Sequence, residues 1–202
     1  MIATRQLPPG YQISGIIDIS KDRRLMYLLN VLGLVMLPVS GWLFIQAMAW
    51  VRTGLPTGEF NLGLSGSLLQ ILVTIFSALI LIMADVVIHE AIHGVFFWLF
   101  TRARPVFAFR WTHAYAAAPD WYIARGPFVV TTLAPLIIIS LAGIAAMRFV
   151  PVGWLTPIWF LLTFNAAGAI GDLLVFVWLL RQPSNSLVQD RGDAVTLYQP
   201  KG

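Results

Sequence analysis

The pentad His89-Glu90-Ala91-Ile92-His93 combines the residue types that bind and use a divalent metal ion. On a helix, residues four apart project from nearly the same face, so both imidazoles can ligate one ion. Glu90 lies beside them, placed to take a proton from a metal-bound water. The chain has 3 histidines in all, and two of them fall in this pentad. The spacing therefore predicts a metal site with a catalytic carboxylate next to it.

The pentad lies inside an apolar stretch, where ionisable side chains are costly. The chain is 58% hydrophobic and 11% charged, whereas soluble domains carry about 25% charged residues. This composition indicates a polytopic membrane protein. A charged group at the bilayer centre costs about 2.5–3.5 kcal/mol on insertion scales, and a bound metal ion would compensate that cost. The alternative is a set of polar side chains that hydrogen-bond a neighbouring helix without any metal.

Two histidines and a water leave a zinc site one protein ligand short. The number of residues between a candidate ligand and the end of its apolar stretch indicates its depth in the membrane. This depth favours Asp172, which comes nine residues before Arg181 at the end of the last apolar stretch. His89 and His93 come twelve and eight residues before Thr101, at the corresponding end of their own stretch. At 1.5 Å per residue, all three side chains lie about 12–18 Å from the same boundary. Asp172 is therefore the predicted third ligand.

Other polar residues have weaker claims on the site. Asp85, one turn before His89, is predicted to be a second-shell partner of a ligand histidine or a lining group of a water-filled cleft. It could also replace Asp172 as the ligand, although three consecutive turns of one helix give poor tetrahedral geometry. Asn165 could hydrogen-bond the substrate or the developing oxyanion, and an interhelical contact would explain it equally well. Of the remaining candidates, His113 is predicted to be an ordinary loop histidine and Asp120 a turn residue, and Glu59 is predicted to lie on the wrong side of the membrane.

Four stretches are long and apolar enough to span a bilayer as helices. They are residues 25–51, 67–100, 128–147 and 154–180. The predicted fold is an all-α polytopic membrane protein with these four transmembrane helices and a small cytoplasmic β-hairpin, or short strands, between helices 2 and 3. Residues 11–19 and 105–117 carry the strand-like patterns. Residues 182–202 are predicted to be a flexible cytoplasmic tail, and the whole chain forms a single domain.

The lysines and arginines predict the orientation. Eleven of the 13 fall in the N-terminal segment, the loop between helices 2 and 3, or the C-terminal segment, and only Arg52 and Arg148 lie on the other side. By the positive-inside rule, both termini and the long loop are cytoplasmic, which places the metal site in the cytoplasmic half of the bilayer. We therefore expect an integral membrane protein, of the cytoplasmic membrane if bacterial. Its net charge of +4 reflects topology and lipid contact, and no nucleic-acid partner is expected.

Four motifs carry a resemblance to known proteins: "LPPGY" at 7–11, "HEAIHG" at 89–94, "YIARGPFVV" at 122–130 and "NAAGAIGD" at 165–172. With HExxH on one helix and a candidate aspartate ligand on a later one, the chain resembles the site-2 protease class of intramembrane zinc metalloproteases. It is more similar still to a family of small membrane proteins of unknown function named "putative zincin peptidase". In site-2 proteases the aspartate usually lies in an Asn-Pro-containing stretch and precedes a glycine. Here Gly171 precedes Asp172, Leu173 follows it, and no proline lies between Asn165 and Asp172. These differences favour the family of small membrane proteins over the site-2 proteases.

The resemblance implies an enzyme with a Zn²⁺ cofactor. Zinc would be bound by His89, His93 and Asp172, and Glu90 would be the general base and acid that acts on a zinc-activated water. The substrate would be a transmembrane or membrane-proximal protein, held as an added strand along the segment 105–117. The alternative is a non-catalytic membrane protein with a structural or transport-related metal site. A transporter would need further polar residues that continue across the helices, and Gln70 and Ser77 are too sparse for a clear path. A structural site would need a fourth protein ligand.

Overall fold

A computed structural model describes residues 2–52, 66–109 and 114–201 of the chain. The helices in these residues are α1 (Arg23–Val51), α2 (Leu68–Thr101), α3 (Arg125–Met147), α4 (Leu155–Gly168) and α5 (Ile170–Leu180). A 3-10 turn, Val152–Trp154, precedes α4. The strands are β1 (Ala3–Thr4), β2 (Tyr11–Asp18), β3 (Val106–Phe109), β4 (Ala114–Ala117), β5 (Tyr122–Ala124), β6 (Leu187–Asp190) and β7 (Ala194–Pro200).

Polar caps mark where the first two long helices begin. The Asp22 carboxylate accepts hydrogen bonds from the backbone N–H groups of Arg24 and Leu25, both at 3.0 Å, at the start of α1. Ser67 and Gln70 form a reciprocal capping box at the start of α2. Such bonds satisfy N–H groups that have no partner within the helix. Between their ends α1, α2 and α3 are apolar, with mean hydropathy of 2.1, 2.8 and 2.3, and each is long enough to cross a membrane.

The last apolar stretch is bent, whereas the sequence predicts one continuous helix over residues 154–180. α4 ends at Gly168 and α5 begins at Ile170, with a bend of 46° between them. Ala169 at the junction has a ψ of 8°, outside the helical range, and its N–H still bonds the carbonyl of Asn165 at 3.0 Å. The small residues around this point place little steric demand on a bend. The structure thus has three single helices that could span, and a fourth span only when the bent pair counts as one.

A five-stranded antiparallel sheet is the main departure from the predicted all-α fold. Its strand order is β1-β5-β6-β7-β2, so it combines the N-terminal segment with the C-terminal segment. Much of the segment 182–202, which the sequence predicts to be a flexible tail, therefore lies in the strands β6 and β7. β7 pairs with β2 from Tyr11↔Pro200 to Asp18↔Ala194, and Leu187, Val188 and Leu197 are buried. The physical reason is long-range packing. The few apolar residues of this polar segment are buried against helices that are remote in sequence.

The strands between α2 and α3 divide between two sheets. β3 and β4 form a separate antiparallel pair within the segment 105–117, and β5 joins the five-stranded sheet. The prediction of a small β-element between helices 2 and 3 accounts for the β3–β4 pair only. The observed fold is mostly helical, with a small antiparallel sheet built largely from the two ends of the chain.

The sheet covers one end of the helical bundle. Phe97, Phe128 and Leu179 of the helices pack against Val188 and Leu197 of the sheet, and all five side chains are buried. Since successive strand residues point to opposite faces, Val188 and Asp190 both face the helices.

Two arginines lie at the opposite end of the bundle. The guanidinium of Arg52 donates to the carbonyl of Met147 at 3.2 Å, and that of Arg148 donates to the carbonyl of Val51 at 3.1 Å. Each arginine thus satisfies a carbonyl at the end of the other helix, so α1 and α3 end side by side. The two helices therefore run away from the sheet, and α2 and the α4–α5 pair return to it.

Candidate metal centre

The histidines of the pentad converge on the aspartate of α5. Nε2 of His89 lies 3.1 Å from Oδ2 of Asp172, and Nε2 of His93 lies 3.4 Å from Oδ1 of the same carboxylate. Among the described residues these three side chains form a group whose potential ligand atoms all lie within 4.8 Å of one another. The residues matched by sequence depth on two distant helices are therefore in contact.

The second nitrogen of each imidazole faces an acceptor. Nδ1 of His89 lies 2.9 Å from Oδ1 of Asn165 on α4, and Nδ1 of His93 lies 3.0 Å from the carbonyl oxygen of Thr131 on α3. An imidazole whose Nδ1 donates a proton to an acceptor presents Nε2 as the free nitrogen ligand. Both rings are thus oriented by neighbouring helices so that their Nε2 atoms point to one spot.

The donor set and its spacing fit zinc. Two imidazole nitrogens and one carboxylate oxygen are typical protein ligands of a catalytic zinc site, which keeps a fourth position open. With metal–ligand distances of 2.0–2.2 Å, a tetrahedral ion separates neighbouring ligand atoms by about 3.3–3.6 Å. The separations of 3.1 and 3.4 Å from Asp172 to the two histidines are close to that span. An ion could therefore be accommodated with small side-chain shifts.

Glu90 is held by a strand rather than by its own helix. Its Oε2 accepts a hydrogen bond from the backbone N–H of Ala116 on β4 at 2.6 Å. This bond uses one carboxylate oxygen and leaves Oε1 for another partner. Glu90 remains partly exposed beside the two histidines. The arrangement suits a carboxylate that must keep one orientation while it exchanges a proton.

Asp85 and Asn165 are both buried beside His89. Asn165 is 1% exposed, and its amide oxygen faces the His89 ring, so its placement differs from that of a group lining an open cleft. An interhelical contact is what the structure shows. Asp85 is 5% exposed and does not belong to the three-residue group. Its Oδ1 and Nδ2 of Asn165 are buried without a hydrogen-bond partner among the described residues.

The remaining sequence candidates do not join the site. Asp120 follows β4 and is not part of the three-residue group. His113 and Glu59 lie outside the described residues.

Two contributors to the site escaped sequence reasoning, because they act through the backbone: the carbonyl of Thr131 and the N–H of Ala116. A backbone group carries no sequence signal. Asp190 was also missed. It faces the helices from β6, and its carboxylate accepts the N–H of Gly192 at 2.7 Å. Burial raises the pKa of Asp190 to about 7, against the lowering effects of the Gly192 N–H and of His93.

Comparison with known families supports the same region. The family model described as "Putative zincin peptidase" matches residues 82–187, just over half of the chain. The chain belongs to this family. Neither a curated protein nor a solved structure matches it.

The family match spans every residue predicted for the site, from Asp85 to Asp172. Membership in a zincin peptidase family suggests a metallopeptidase, and zincins by their name use zinc. Of the two resemblances found in the sequence, the one to the zincin family of small membrane proteins is thus confirmed.

Proposed function

We propose that this chain is a membrane-embedded zinc metallopeptidase that hydrolyses peptide bonds of transmembrane or membrane-proximal proteins. The observation that carries the proposal is the convergence of the His89 and His93 Nε2 atoms on the Asp172 carboxylate, with Glu90 beside them. No fourth histidine or carboxylate joins the three in the part of the chain that the structure describes. Three protein ligands with an open position favour catalysis over a structural site.

A membrane location is supported by the surfaces of the helices. In the most apolar 18-residue window of α2, only 6% of the residues are buried, although its mean hydropathy is 2.8. The outward side chains include Leu72, Phe76 and Val87, each more than half exposed. Soluble proteins rarely expose contiguous apolar areas of this size, whereas a lipid bilayer would cover them. Because ten of the twelve lysines and arginines among the described residues lie toward the sheet end of the bundle, we assign this end and both termini to the cytoplasm.

The chemistry follows from the residues in place. When bound by His89, His93 and Asp172, zinc lowers the pKa of water toward 7 and polarises a carbonyl. Glu90 takes the proton from the attacking water through Oε1 while the Ala116 N–H holds Oε2. The same carboxyl then delivers that proton to the leaving amine. Thr131 and Asn165 keep the two imidazoles in the orientation that this site requires.

A free edge of β4 supports binding of an extended substrate. β3 pairs with one edge of β4, with Phe107 opposite Ala116. The N–H of Ala116 points away from β3 toward Glu90, and N–H groups in an antiparallel strand alternate in direction. The N–H of Ala114 thus lies on the edge nearest the metal centre, where that of Ala116 is already bonded to Glu90. A peptide added there as a strand would have its scissile carbonyl exposed to the site, because extended chains do not shield their own carbonyls.

The broader placement among site-2 protease-like enzymes is part of this proposal. It is supported by an HExxH pair on one apolar helix and an aspartate on a later, bent one.

The decisive test compares wild-type protein with Glu90→Gln and His93→Ala in detergent or nanodiscs. We expect one zinc per chain in the wild type and in Glu90→Gln, and none in His93→Ala. Cleavage of a library of apolar fluorogenic peptides should fall at least about 100-fold in both variants, since general acid–base catalysis contributes 10²–10⁴-fold. Full activity in Glu90→Gln would overturn the role of this residue. Zinc binding by a wild type that cleaves nothing would instead favour a non-catalytic metal site.

A further inference from the structure

Two polar atoms beside the metal centre have no hydrogen-bond partner among the described residues. They are Oδ1 of Asp85 and Nδ2 of Asn165, and both residues are at least 95% buried. Buried polar groups are nearly always paired, because an unpaired one costs about 1–3 kcal/mol. Two such groups in one small region of an apolar bundle therefore call for an explanation.

The two atoms flank the same histidine. Asn165 contacts the His89 ring directly, at 2.9 Å between Oδ1 and Nδ1. Asp85 precedes His89 by four residues on α2, so their side chains are neighbours on one face of the helix. Asp85 and Asn165 thus approach His89 from two different helices.

The orphaned atoms are also chemically complementary. If His89 ligates a metal through Nε2, its Nδ1 must carry a proton, so the atom of Asn165 that faces it must be the oxygen. That assignment directs the Nδ2 amide group, a donor, away from the ring. Oδ1 of Asp85 is an acceptor. A donor and an acceptor that lack partners beside the same histidine can satisfy each other through one internal water.

We infer that Asp85 and Asn165 are positioning residues, which form a hydrogen-bonded chain from His89 through Asn165 to Asp85 and thereby orient His89 for metal binding. The inference rests on the proposed metal site and adds residues to it that touch neither substrate nor metal. In this chain Asn165 takes the place that a carboxylate or backbone carbonyl holds behind many metal-ligating histidines. Asp85 fixes the amide of Asn165, so that its oxygen and not its nitrogen faces the ring. The oxyanion role predicted for Asn165 is replaced by this one.

The test measures zinc affinity by competition with a chelator of known affinity, in a detergent-purified full chain. Asp85→Ala and Asn165→Ala should each weaken zinc binding by about 10–100-fold, the usual effect of losing a partner behind a metal ligand. Because both residues act through His89, the double variant should bind no more weakly than the weaker single variant. Asp85→Asn retains an acceptor oxygen and should restore most of the affinity. Thr163→Ala is the matched control, since Thr163 is 4% exposed on α4 and its hydroxyl donates to the carbonyl of Trp159 within the same helix.

A second measurement separates orientation from general stability. In zinc-loaded protein labelled with ¹⁵N-histidine, the Nδ1 proton of His89 should exchange slowly with solvent, and at least about 10-fold faster in Asn165→Ala and Asp85→Ala. Asn165→Asp places a carboxylate directly on His89, so it should keep slow exchange and make Asp85 dispensable.

Unchanged affinity in Asp85→Ala, or additive losses in the double variant, would overturn the chain of hydrogen bonds and leave the metal site intact. A wild type that binds no zinc would overturn the metal site itself.

Discussion

The backbone N–H of Ala116 donates a hydrogen bond to Oε2 of Glu90 over 2.6 Å, joining β4 to the pentad of α2. The general base proposed for this enzyme is therefore oriented by the strand that we also propose as the substrate edge. A hydrogen bond to an ionised carboxylate is shorter and stronger than a neutral one and contributes about 1.5–3 kcal/mol. In the proposed mechanism, one strand, β4, both binds the substrate and orients the base.

Ala116→Pro removes this donor without altering any side chain that ligates the metal. Because the Ala116 N–H points away from β3, its loss leaves the β3–β4 pairing unchanged. We expect kcat to fall by about 10–100-fold, which corresponds to the contribution of a charge-assisted hydrogen bond. Zinc content should equal that of the wild type, and steady-state kinetics on the best peptide substrate measures the change in kcat.

Ala114→Pro is the matched control on the same strand and the same edge. Ala114 also directs its N–H away from β3, but Glu90 bonds Ala116 and not Ala114. Its substitution should therefore raise KM through loss of a substrate contact and leave kcat within about twofold. Equal losses of kcat in both variants would contradict a specific role for the Ala116 donor.

The convergence of His89, His93 and Asp172 could be predicted from the sequence because it depends on regular geometry. The helical repeat places His89 and His93 on one face, and 1.5 Å per residue puts Asp172 at the same depth. What surrounds those ligands depends on irregular geometry. The direction in which Asn165 points is set by α4, which ends at Gly168. The 46° bend that follows leaves no periodic pattern in the sequence from which it could be predicted.

The sheet could not be predicted for a related reason. β7 finds its partners in β2 and β6, and β2 lies more than 170 residues away in sequence. Composition indicated a loose polar tail because only six of the 21 residues from 182 to 202 are hydrophobic. In the structure, Val188 and Leu197 of this segment pack against the helices, so the segment covers one end of the bundle. Such long-range pairing leaves no local pattern beyond a short alternation.

Gly94→Ala tests how tightly the β3–β4 pair must pack on α2. A Cβ at Gly94 would overlap the ring of Phe107 on β3 and press on Pro105. A shift of the strand pair that relieved this overlap would move Ala116 away from Glu90. We expect a loss of about 1–3 kcal/mol in stability from overpacking, and a fall in kcat of at least about 10-fold.

Gly171→Ala provides the comparison for that variant. Gly171 also adjoins a proposed metal ligand, Asp172, but no atom lies within 4 Å of a Cβ built there. An alanine inside a helix is favoured over glycine by about 1 kcal/mol, so thermal stability should stay level or rise. If Gly94→Ala and Gly171→Ala had the same activity, the close approach of Phe107 would have no functional consequence.

The proposed orientation predicts which residues are accessible from outside the cell. The chain has no cysteine, so single cysteines can be introduced without a background. Phe149 is 84% exposed at the Arg52–Arg148 end, and Arg191 is exposed in the turn between β6 and β7. By the positive-inside rule, an impermeant maleimide should label Phe149→Cys in intact bacterial cells and Arg191→Cys only after permeabilisation. The reverse pattern would invert the topology and place the metal site in the outer half.

Asp190 predicts a pH dependence of stability, measured on metal-free protein in a chelator. Burial raises its folded pKa from 3.8 to about 7. Below about pH 3 the carboxyl is protonated in both states, and at pH 4 its contribution is still small. As the pH rises from 4 to 7, the unfolded state ionises first and the folded state is progressively destabilised.

Asp190→Asn removes this cost while its side-chain oxygen still accepts the Gly192 N–H. The variant should match the wild type at pH 4 and exceed its stability above pH 7. The upper limit of the gain is about 4 kcal/mol, and about 1–3 kcal/mol is expected because the side chain is partly exposed and screened. Thermal unfolding from pH 4 to 8 gives the difference, which should be smaller in zinc-loaded protein, since a nearby cation favours the ionised carboxylate. A gain that is constant across this pH range would show that Asp190 does not titrate in it.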